Sequence, residues 1–255
     1  MIFMRQSYLL ALLVVISLWG MHPGNLLAAS EGCNNYTLTD IDVQPIFDTI
    51  EYDFSKPMLT IKELSEKGKD GMHSEAWPVG LSTGEMYFRV ATDTYKVRTG
   101  HNTFICGQLK AIHIEFGFQN NKIYVAKEFP KRSCPFRQVL GHEEKHKAVD
   151  RAILEKYSEL ARATFAETSK TIGVVKGASP TEIDDKISAA VNEQIEKISK
   201  EIKDDHSARQ RDVDSKEEYQ RVTDSCEGQT MQIVKQRLDL LETSYPGITK
   251  VSHTR

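Results

Sequence analysis

Apolar and polar residues alternate with a period of two over much of the first half of the chain. The clearest run places four apolar residues between polar residues or glycine: Ile112, Ile114, Phe116 and Phe118. This alternation predicts a strand with one buried face. Residues 119–121 are predicted to form a turn and residues 122–129 the returning strand. Because similar short runs occur across residues 36–129, apart from a polar loop near 65–85, the sequence predicts an N-terminal antiparallel β-sheet.

The period changes to three and four from about residue 135 onward, which is typical of amphipathic helices. The first helix is predicted over residues 136–168 and is followed by a break at 173–177. Residues 179–182 read Ser-Pro-Thr-Glu, which supplies an N-cap, a proline in the first turn and a capping-box acid for a second helix. A third helix is predicted over residues 214–243. The two halves together predict an α+β fold with a helical C-terminal half.

The N-terminus has the composition of a secretion signal. Arg5 supplies a positive charge, and the apolar run over residues 8–19 is too short for a comfortable transmembrane span. Small residues at 27–29 offer a cleavage site, so residues 1–29 are predicted to be a signal peptide. The mature chain would then have no integral membrane span and would be periplasmic or extracellular. An uncleaved membrane anchor is the alternative interpretation.

The remaining residues, 30–255, are expected to form one domain, mainly β over 30–134 and mainly α over 135–255. About 225 residues are enough for a substantial hydrophobic core. The formal net charge of the whole chain is −3, and no basic cluster marks either end. This charge balance argues against a nucleic-acid partner.

The chain contains four cysteines: Cys33, Cys106, Cys134 and Cys226. An even number of cysteines in an exported chain predicts two disulfides, for which three pairings are possible. The spacings do not resemble those of CxxC zinc sites, so no cysteine is expected to bind a metal.

Residues 142–146 read His-Glu-Glu-Lys-His, an HExxH pentapeptide within the first predicted helix. Two imidazoles four residues apart project from one helix face, about 6 Å apart along the axis, so both can reach one tetrahedral metal ion. Glu143 lies between them, where it can act as general base toward an attacking water. The charged pair Glu144-Lys145 favours the alternative, in which His142 and His146 are hydrogen-bonded core histidines.

The pentapeptide and its strand–strand–helix setting resemble the zincin metallopeptidases, and in particular bacterial secreted proteins regarded as zinc-dependent proteases. The resemblance rests on His142, Glu143 and His146 and covers roughly residues 112–160. It implies that the two histidines bind Zn²⁺ and that Glu143 is the catalytic base. It also implies that the strand ahead of the helix can bind a peptide or protein substrate in extended form.

A catalytic zinc needs a third protein ligand, which is expected from another helix. Suppose that Cys134 bridges Cys226 and that the third helix runs antiparallel to the first. The residues opposite the two histidines would then be Asp214, Glu217 and Glu218. Glu218 is nearest the helix face that carries Cys226, so it is the predicted third ligand. Its alternative role is that of a capping-box acid answering Ser215.

Four other residues have candidate roles at the site. His206, at the end of the apolar stripe of the second helix, and Glu217 are the rival third ligands. Asp150 follows His146 by one helical turn and is either a carboxylate that holds the His146 ring or a surface acid. Tyr219 is a candidate donor to an oxyanion.

The sequence therefore predicts a secreted zinc-dependent hydrolase, with endopeptidase as the leading activity. A metallohydrolase acting on another amide bond is not separated from it by the sequence. The alternative is a non-catalytic cell-envelope binding protein in which the HExxH is incidental or degenerate. The sequence contains no Ser/His/Asp arrangement, P-loop or dinucleotide-binding motif that would indicate a different chemistry.

Overall fold

A computed structural model of the chain describes residues 33, 38–67, 77–98 and 103–244. The predicted signal peptide lies outside the described residues. The strands are β1 (Asp40–Phe47), β2 (Glu51–Asp53), β3 (Gly80–Val97), β4 (Ile105–Val125) and β5 (Val174–Gly177). The helices are α1 (Met58–Lys67), α2 (Cys134–Ile172), α3 (Pro180–Val213), α4 (Lys216–Asp224) and α5 (Gln229–Ser244), with a 3₁₀ turn at Cys226–Gly228 between the last two.

Strand β4 is the centre of the sheet. One edge of β4 pairs antiparallel with β3 along almost its whole length, and the other edge carries β5, β1 and β2 end to end. Strands β1 and β2 run parallel to β4, whereas β5 is antiparallel. The prediction of an antiparallel sheet is therefore wrong for the N-terminal strands. The period of two reports which face of a strand is buried, and it carries no information about the direction of the partner.

The predicted turn at residues 119–121 is also wrong, because β4 continues through it to Val125. Asn120 has a φ of 56°, a left-handed conformation that Asn tolerates better than most residues. Opposite it, the register of β3 shifts between Thr83 and Glu85. The polar residues therefore mark an irregularity at which the paired strands bend, where the sequence suggested a reversal of the chain.

Helix α3 begins where its predicted cap places it, and α2 begins two residues before its predicted start. Ser133 caps α2 and its side chain accepts a hydrogen bond from the backbone N–H of Phe136. Ser179 caps α3 in the same way, accepting from the backbone N–H of Glu182. The helices predicted at 136–168 and from 179 onward are confirmed, although α2 is longer than expected. The predicted break at 173–177 contains the short strand β5.

The third predicted helix, over 214–243, is divided into α4 and α5. The 3₁₀ turn between them has positive φ angles at Cys226, Glu227 and Gly228, which no continuous α-helix accepts. Helix α1 is an addition that the hydrophobic pattern did not predict.

Helices α2 and α3 pack on one face of the sheet and bury a main core. Its members include Val43, Ile112, Ile114, Phe116, Ile153, Tyr157, Ile187, Ile198 and Ile202. A second cluster joins α1, the end of β4, the start of α2 and the α4–α5 region. Its members include Met58, Ile61, Phe129, Phe136, Val139 and Val222. The alternating residues of β4 face the main core, as the sequence predicted.

Two disulfides link Cys33 to Cys106 and Cys134 to Cys226, each with a Cα–Cα distance of 5.8 Å. The second joins the first turn of α2 to the turn between α4 and α5, which is the pairing assumed in predicting the third ligand. Two disulfides are compatible with an exported protein. Within the described ranges, no helix combines the length and apolar character needed to cross a membrane.

We expect replacement of Cys134 and Cys226 together by Ser to lower the free energy of unfolding by about 2–5 kcal/mol. The bridge joins residues 92 positions apart, so its removal frees a long loop in the unfolded chain. Urea unfolding followed by tryptophan fluorescence measures the change.

Limited proteolysis separates a local effect from a general one. The variant should be cut first in α4 or α5, whereas the matched Cys33/Cys106 double Ser variant should keep this segment protected. An unchanged urea midpoint and an unchanged cleavage pattern would show that the bridge neither stabilises the fold nor holds α4 in place.

Candidate metal centre

The two histidines of the pentapeptide converge on one carboxylate. Nε2 of His142 lies 3.4 Å from Oδ1 of Asp214, and Nε2 of His146 lies 3.2 Å from the same atom. The two rings are perpendicular, with centroids 5.0 Å apart. The helical spacing of four residues therefore brings both imidazoles to one point, as expected from the motif.

Asp214 is placed by the junction between α3 and α4. It is the C-cap of α3, and its backbone N–H donates to the carbonyl oxygen of Gln210 at 3.0 Å. The next residue, Ser215, is already the N-cap of α4. The short aspartate side chain therefore leaves the backbone between two helix ends.

The spacing of these three groups fits a tetrahedral metal ion. One ligand atom from each of His142, His146 and Asp214 can be chosen so that all lie within 4.8 Å of one another. Zinc bonds of about 2.0–2.1 Å place tetrahedral ligand atoms about 3.3 Å apart, close to the two nitrogen–oxygen distances. These three residues are called the metal centre below.

Both imidazoles also have an acceptor at the other ring nitrogen. Nδ1 of His142 lies 3.4 Å from Oε1 of Glu218, and Nδ1 of His146 contacts Oε1 of Gln210. A neutral imidazole has a single N–H and can serve one acceptor. Since oxygen atoms lie near both nitrogens of both rings, a cation at the Nε2 corner would be matched by the surrounding acceptors.

The pKa of His146 reflects this surplus of acceptors. Burial lowers it, but the hydrogen bond to Asp214, the charge of Glu143 and the hydrogen bond to Gln210 outweigh burial, so the net shift is upward. Burial raises the pKa of Asp214, and the hydrogen bonds from the two histidines more than reverse that effect. The centre thus favours a cation against an ionised carboxylate.

Glu218, the predicted third ligand, lies beside the centre and contacts only one of its histidines. Its Oε1 accepts from Lys145 Nζ at 2.6 Å and from Arg221 Nη2 at 2.8 Å. The Arg221 guanidinium is the main reason that the pKa of Glu218 is held well below its usual range. The backbone N–H of Glu218 donates to Ser215 Oγ at 3.3 Å, which is the capping position considered above. The geometry therefore favours Asp214 over Glu218 as third ligand.

The structure separates the remaining sequence candidates from the centre. His206 Nε2 contacts Asp150 Oδ1 at 2.8 Å and is not part of the three-residue group. Glu217 is exposed on α4. Asp150 does not hold the His146 ring directly, because Gln210 lies between them. Nε2 of Gln210 donates to Asp150 Oδ1 at 2.9 Å. Sequence reasoning missed Gln210, although it precedes Asp214 by one helical turn.

Glu143 is buried next to the first residue of β3. The carboxylate accepts a hydrogen bond from the backbone N–H of Ser82, and burial raises its pKa to about 7 against the opposing charges of His146 and His142. A Cβ atom on Gly80 would lie 2.3 Å from Glu143 Oε1. Only glycine at position 80 therefore allows β3 to pass so close to this carboxylate.

Tyr219, the candidate oxyanion donor, lies at the centre. Its hydroxyl donates to Asp214 Oδ1 at 3.1 Å, and its ring centroid is 5.6 Å from that of His142. Burial and the neighbouring Asp214 raise the pKa of this phenol. In this arrangement the hydroxyl supports the carboxylate of the centre.

Comparison with protein-family models, with curated proteins and with solved structures finds no match for the chain. The resemblance to zincins therefore rests on the pentapeptide and on what surrounds it. The arrangement of two imidazoles, one carboxylate and a buried neighbouring glutamate has to be judged by its own chemistry.

We expect Asp214→Asn and Glu218→Gln to weaken zinc binding to different degrees. Loss of a group that only supports a ligand typically costs about 10- to 100-fold in metal affinity. Glu218→Gln should fall within that range, whereas Asp214→Asn should exceed it, because it replaces the shared carboxylate oxygen with a neutral amide. Competition against a chromophoric chelator measures both dissociation constants. The reverse order would make Glu218 the ligand and Asp214 its support.

Proposed function

We propose that this chain is an exported zinc-dependent hydrolase, with peptide bonds as its leading substrate class. The observation that carries the proposal is the convergence of His142 and His146 on Asp214 with the buried carboxyl of Glu143 beside them. A structural cluster of histidines has no need of a fourth, acidic residue held at the edge of the group. A hydrolytic metal site needs such a residue as its base.

Zinc is favoured by the donor set and by Glu143 together. Two histidines and one carboxylate leave an open position on a metal, an arrangement used both by zinc hydrolases and by Fe(II) oxygenases. An oxygenase has no requirement for a general base next to the metal. The buried glutamate between the histidines therefore supports hydrolysis, and elemental analysis of the purified protein separates zinc from iron.

The chain's own residues supply the proton transfers. A bound zinc would lower the pKa of water to about 7 and polarise the scissile carbonyl. Glu143 would take the proton from the attacking water and later return it to the leaving amine. A pKa of about 7, raised by burial, suits a carboxylate that must both accept and release a proton near neutral pH.

Strand β3 supports a peptide as substrate. It begins at Gly80, in contact with Glu143, and pairs with β4 through one edge. Among the described residues, no strand pairs with its other edge. An extended peptide can add to such an edge through main-chain hydrogen bonds, which would bring a scissile bond toward the base. The two disulfides support a periplasmic or extracellular location.

We expect Glu143→Gln to keep zinc and to lose hydrolysis by about 10²- to 10⁴-fold, the usual contribution of a general base. The amide has nearly the same size as the carboxyl but accepts no proton at neutral pH. Cleavage of a denatured protein, followed by mass spectrometry of the fragments, measures activity, and elemental analysis measures zinc.

Glu144→Gln is the matched control, because it makes the same chemical change one residue away on the exposed face of α2. It should retain both zinc and activity. Stoichiometric zinc in a wild-type protein that cleaves neither peptides nor other amides would contradict the proposal. That result would favour the alternative, a non-catalytic envelope protein with a structural metal.

A further inference from the structure

We propose that Gln210 is a positioning residue of the metal centre: its amide fixes the tautomer of His146, and Asp150 fixes the direction of that amide. The inference rests on the proposed function, because a tautomer matters only if the imidazole binds a metal. It assigns a role to a hydrogen-bonded chain that runs from the sheet, through α2, to the end of α3.

The amide of Gln210 is held at both ends. Its Oε1 contacts Nδ1 of His146. Its Nε2 lies 2.9 Å from Oδ1 of Asp150 and 3.3 Å from the backbone carbonyl oxygen of His146. Gln210 thus bridges two residues of α2 from its position on α3, one turn before Asp214.

Two acceptor-only neighbours set the orientation of this amide, although its Nε2 also lies 2.9 Å from Nε2 of His206. An amide can turn over and exchange its oxygen and nitrogen, but an ionised carboxylate and a backbone carbonyl are acceptors only. Both therefore require the NH₂ group of Gln210, which leaves its oxygen to face His146. An imidazole nitrogen that faces an oxygen acceptor must carry the proton. Nδ1 of His146 is protonated for this reason, and the lone pair used to bind a metal is on Nε2, toward Asp214.

Asp150 is fixed in turn by two cationic or hydrogen-bonding side chains. Its Oδ2 accepts from Lys147 Nζ at 2.9 Å, and its Oδ1 accepts from His206 Nε2 at 2.8 Å. Lys147 also donates to the carbonyl oxygen of Thr83 at 2.7 Å and to Asn121 Oδ1 at 3.0 Å. Lys147 therefore ties the carboxylate to both β3 and β4.

The carboxylate of Asp150 stays ionised although it is buried. Burial raises its pKa, but the hydrogen bond from His206 and the charge of Lys147 outweigh burial, and the net shift is downward. The ionised Asp150 carboxylate can only accept hydrogen bonds. It therefore keeps the NH₂ group of Gln210 turned toward itself.

The test begins with Asp150→Asn. An asparagine can present either an acceptor or a donor, so only the backbone carbonyl oxygen of His146, at 3.3 Å, still requires the NH₂ group. The Gln210 amide therefore turns over more readily and offers its NH₂ to Nδ1 of His146. The proton of His146 then moves to Nε2, which can no longer bind a metal. We expect zinc binding to weaken by about 10- to 100-fold, measured by competition with a chelator.

Nuclear magnetic resonance of ¹⁵N-histidine-labelled, zinc-loaded protein provides a readout that a purely structural role would not change. In the wild type, His146 should show a protonated, slowly exchanging Nδ1 and a zinc-bound Nε2. In Asp150→Asn the Nδ1 proton should exchange faster or be lost, while the signals of His142, whose Nδ1 faces Glu218, should be little affected.

A pair of substitutions tests the direction of the amide itself. Gln210→Glu keeps an acceptor toward His146 but sets a second carboxylate against Asp150, so it should weaken zinc binding. Combining Gln210→Glu with Asp150→Asn restores a donor opposite an acceptor and should recover most of the lost affinity. Rescue by a second substitution is not expected if each residue only fills space.

Asp205→Asn is the matched control on α3. Asp205 makes comparable ion pairs, with Lys156 at 2.7 Å and Arg209 at 2.9 Å, but it takes no part in the chain that reaches His146. It should leave zinc affinity and the His146 signals unchanged. Thermal unfolding of every variant with the metal removed shows whether the fold is retained.

The possible results distinguish this inference from the proposed function. A wild-type protein that binds no zinc would remove the metal centre and this inference with it. Tight zinc binding by the wild type, with the same affinity and the same Nδ1 proton in Asp150→Asn, would overturn only the positioning role. A double variant that binds zinc no better than its two parents would also overturn it.

Discussion

Both imidazoles of the HExxH pentapeptide share one acceptor, Oδ1 of Asp214, and the site exists only while α2 and the end of α3 meet there. Apolar residues bring the helices together, among them Ile153, Tyr157, Ile198 and Ile202. Apolar packing is not directional. It sets the distance between the two helices, but it sets the position of any one side chain less strictly. The contacts of Gln210 with His146 and Asp150 add the direction. The metal centre therefore depends on directional hydrogen bonds at the end of the apolar interface between α2 and α3.

The wall of the centre that faces the sheet consists of buried charges. Glu143, Lys147 and Asp150 are all buried on α2, and burying an uncompensated charge costs several kcal/mol. Each has partners, and glycines in β3 make room for two of them. A Cβ atom on Gly80 would meet Glu143 at 2.3 Å, and one on Gly84 would meet Lys147 at 2.9 Å. Strand β3 therefore approaches α2 closely at two places, each of which has a glycine opposite a buried ionisable side chain.

The sequence predicts features that depend on neighbouring residues of one element. It does not predict features that depend on where separate elements meet. Ser179 marks the start of its helix because a capping side chain bonds to the backbone of its own helix. The pentapeptide brings His142 and His146 together by helical spacing alone. The sequence predicts Asp214 at the start of a third helix and favours Glu218, which is nearer the face that carries Cys226. It does not show that α3 continues to this residue, so that Asp214 lies at the junction of two helices. The parallel direction of β1 and β2 was equally hidden from a pattern that reports burial.

The exposure of its members determines from which side the metal centre can be reached. The side chain of His142 is 8% exposed, whereas that of Asp214 is 31% exposed. On the sheet side, Glu143 lies against Gly80 at the start of β3, and the more exposed residues of the centre lie at the α3–α4 junction and on α4. Tyr219 lies on that side, 38% exposed, with its hydroxyl on the Asp214 carboxylate. On the proposed function, the Tyr219 hydroxyl is a candidate donor to a substrate carbonyl on this side of the centre. The residue that donates to the Asp214 carboxylate is therefore also an exposed aromatic residue on this side of the centre.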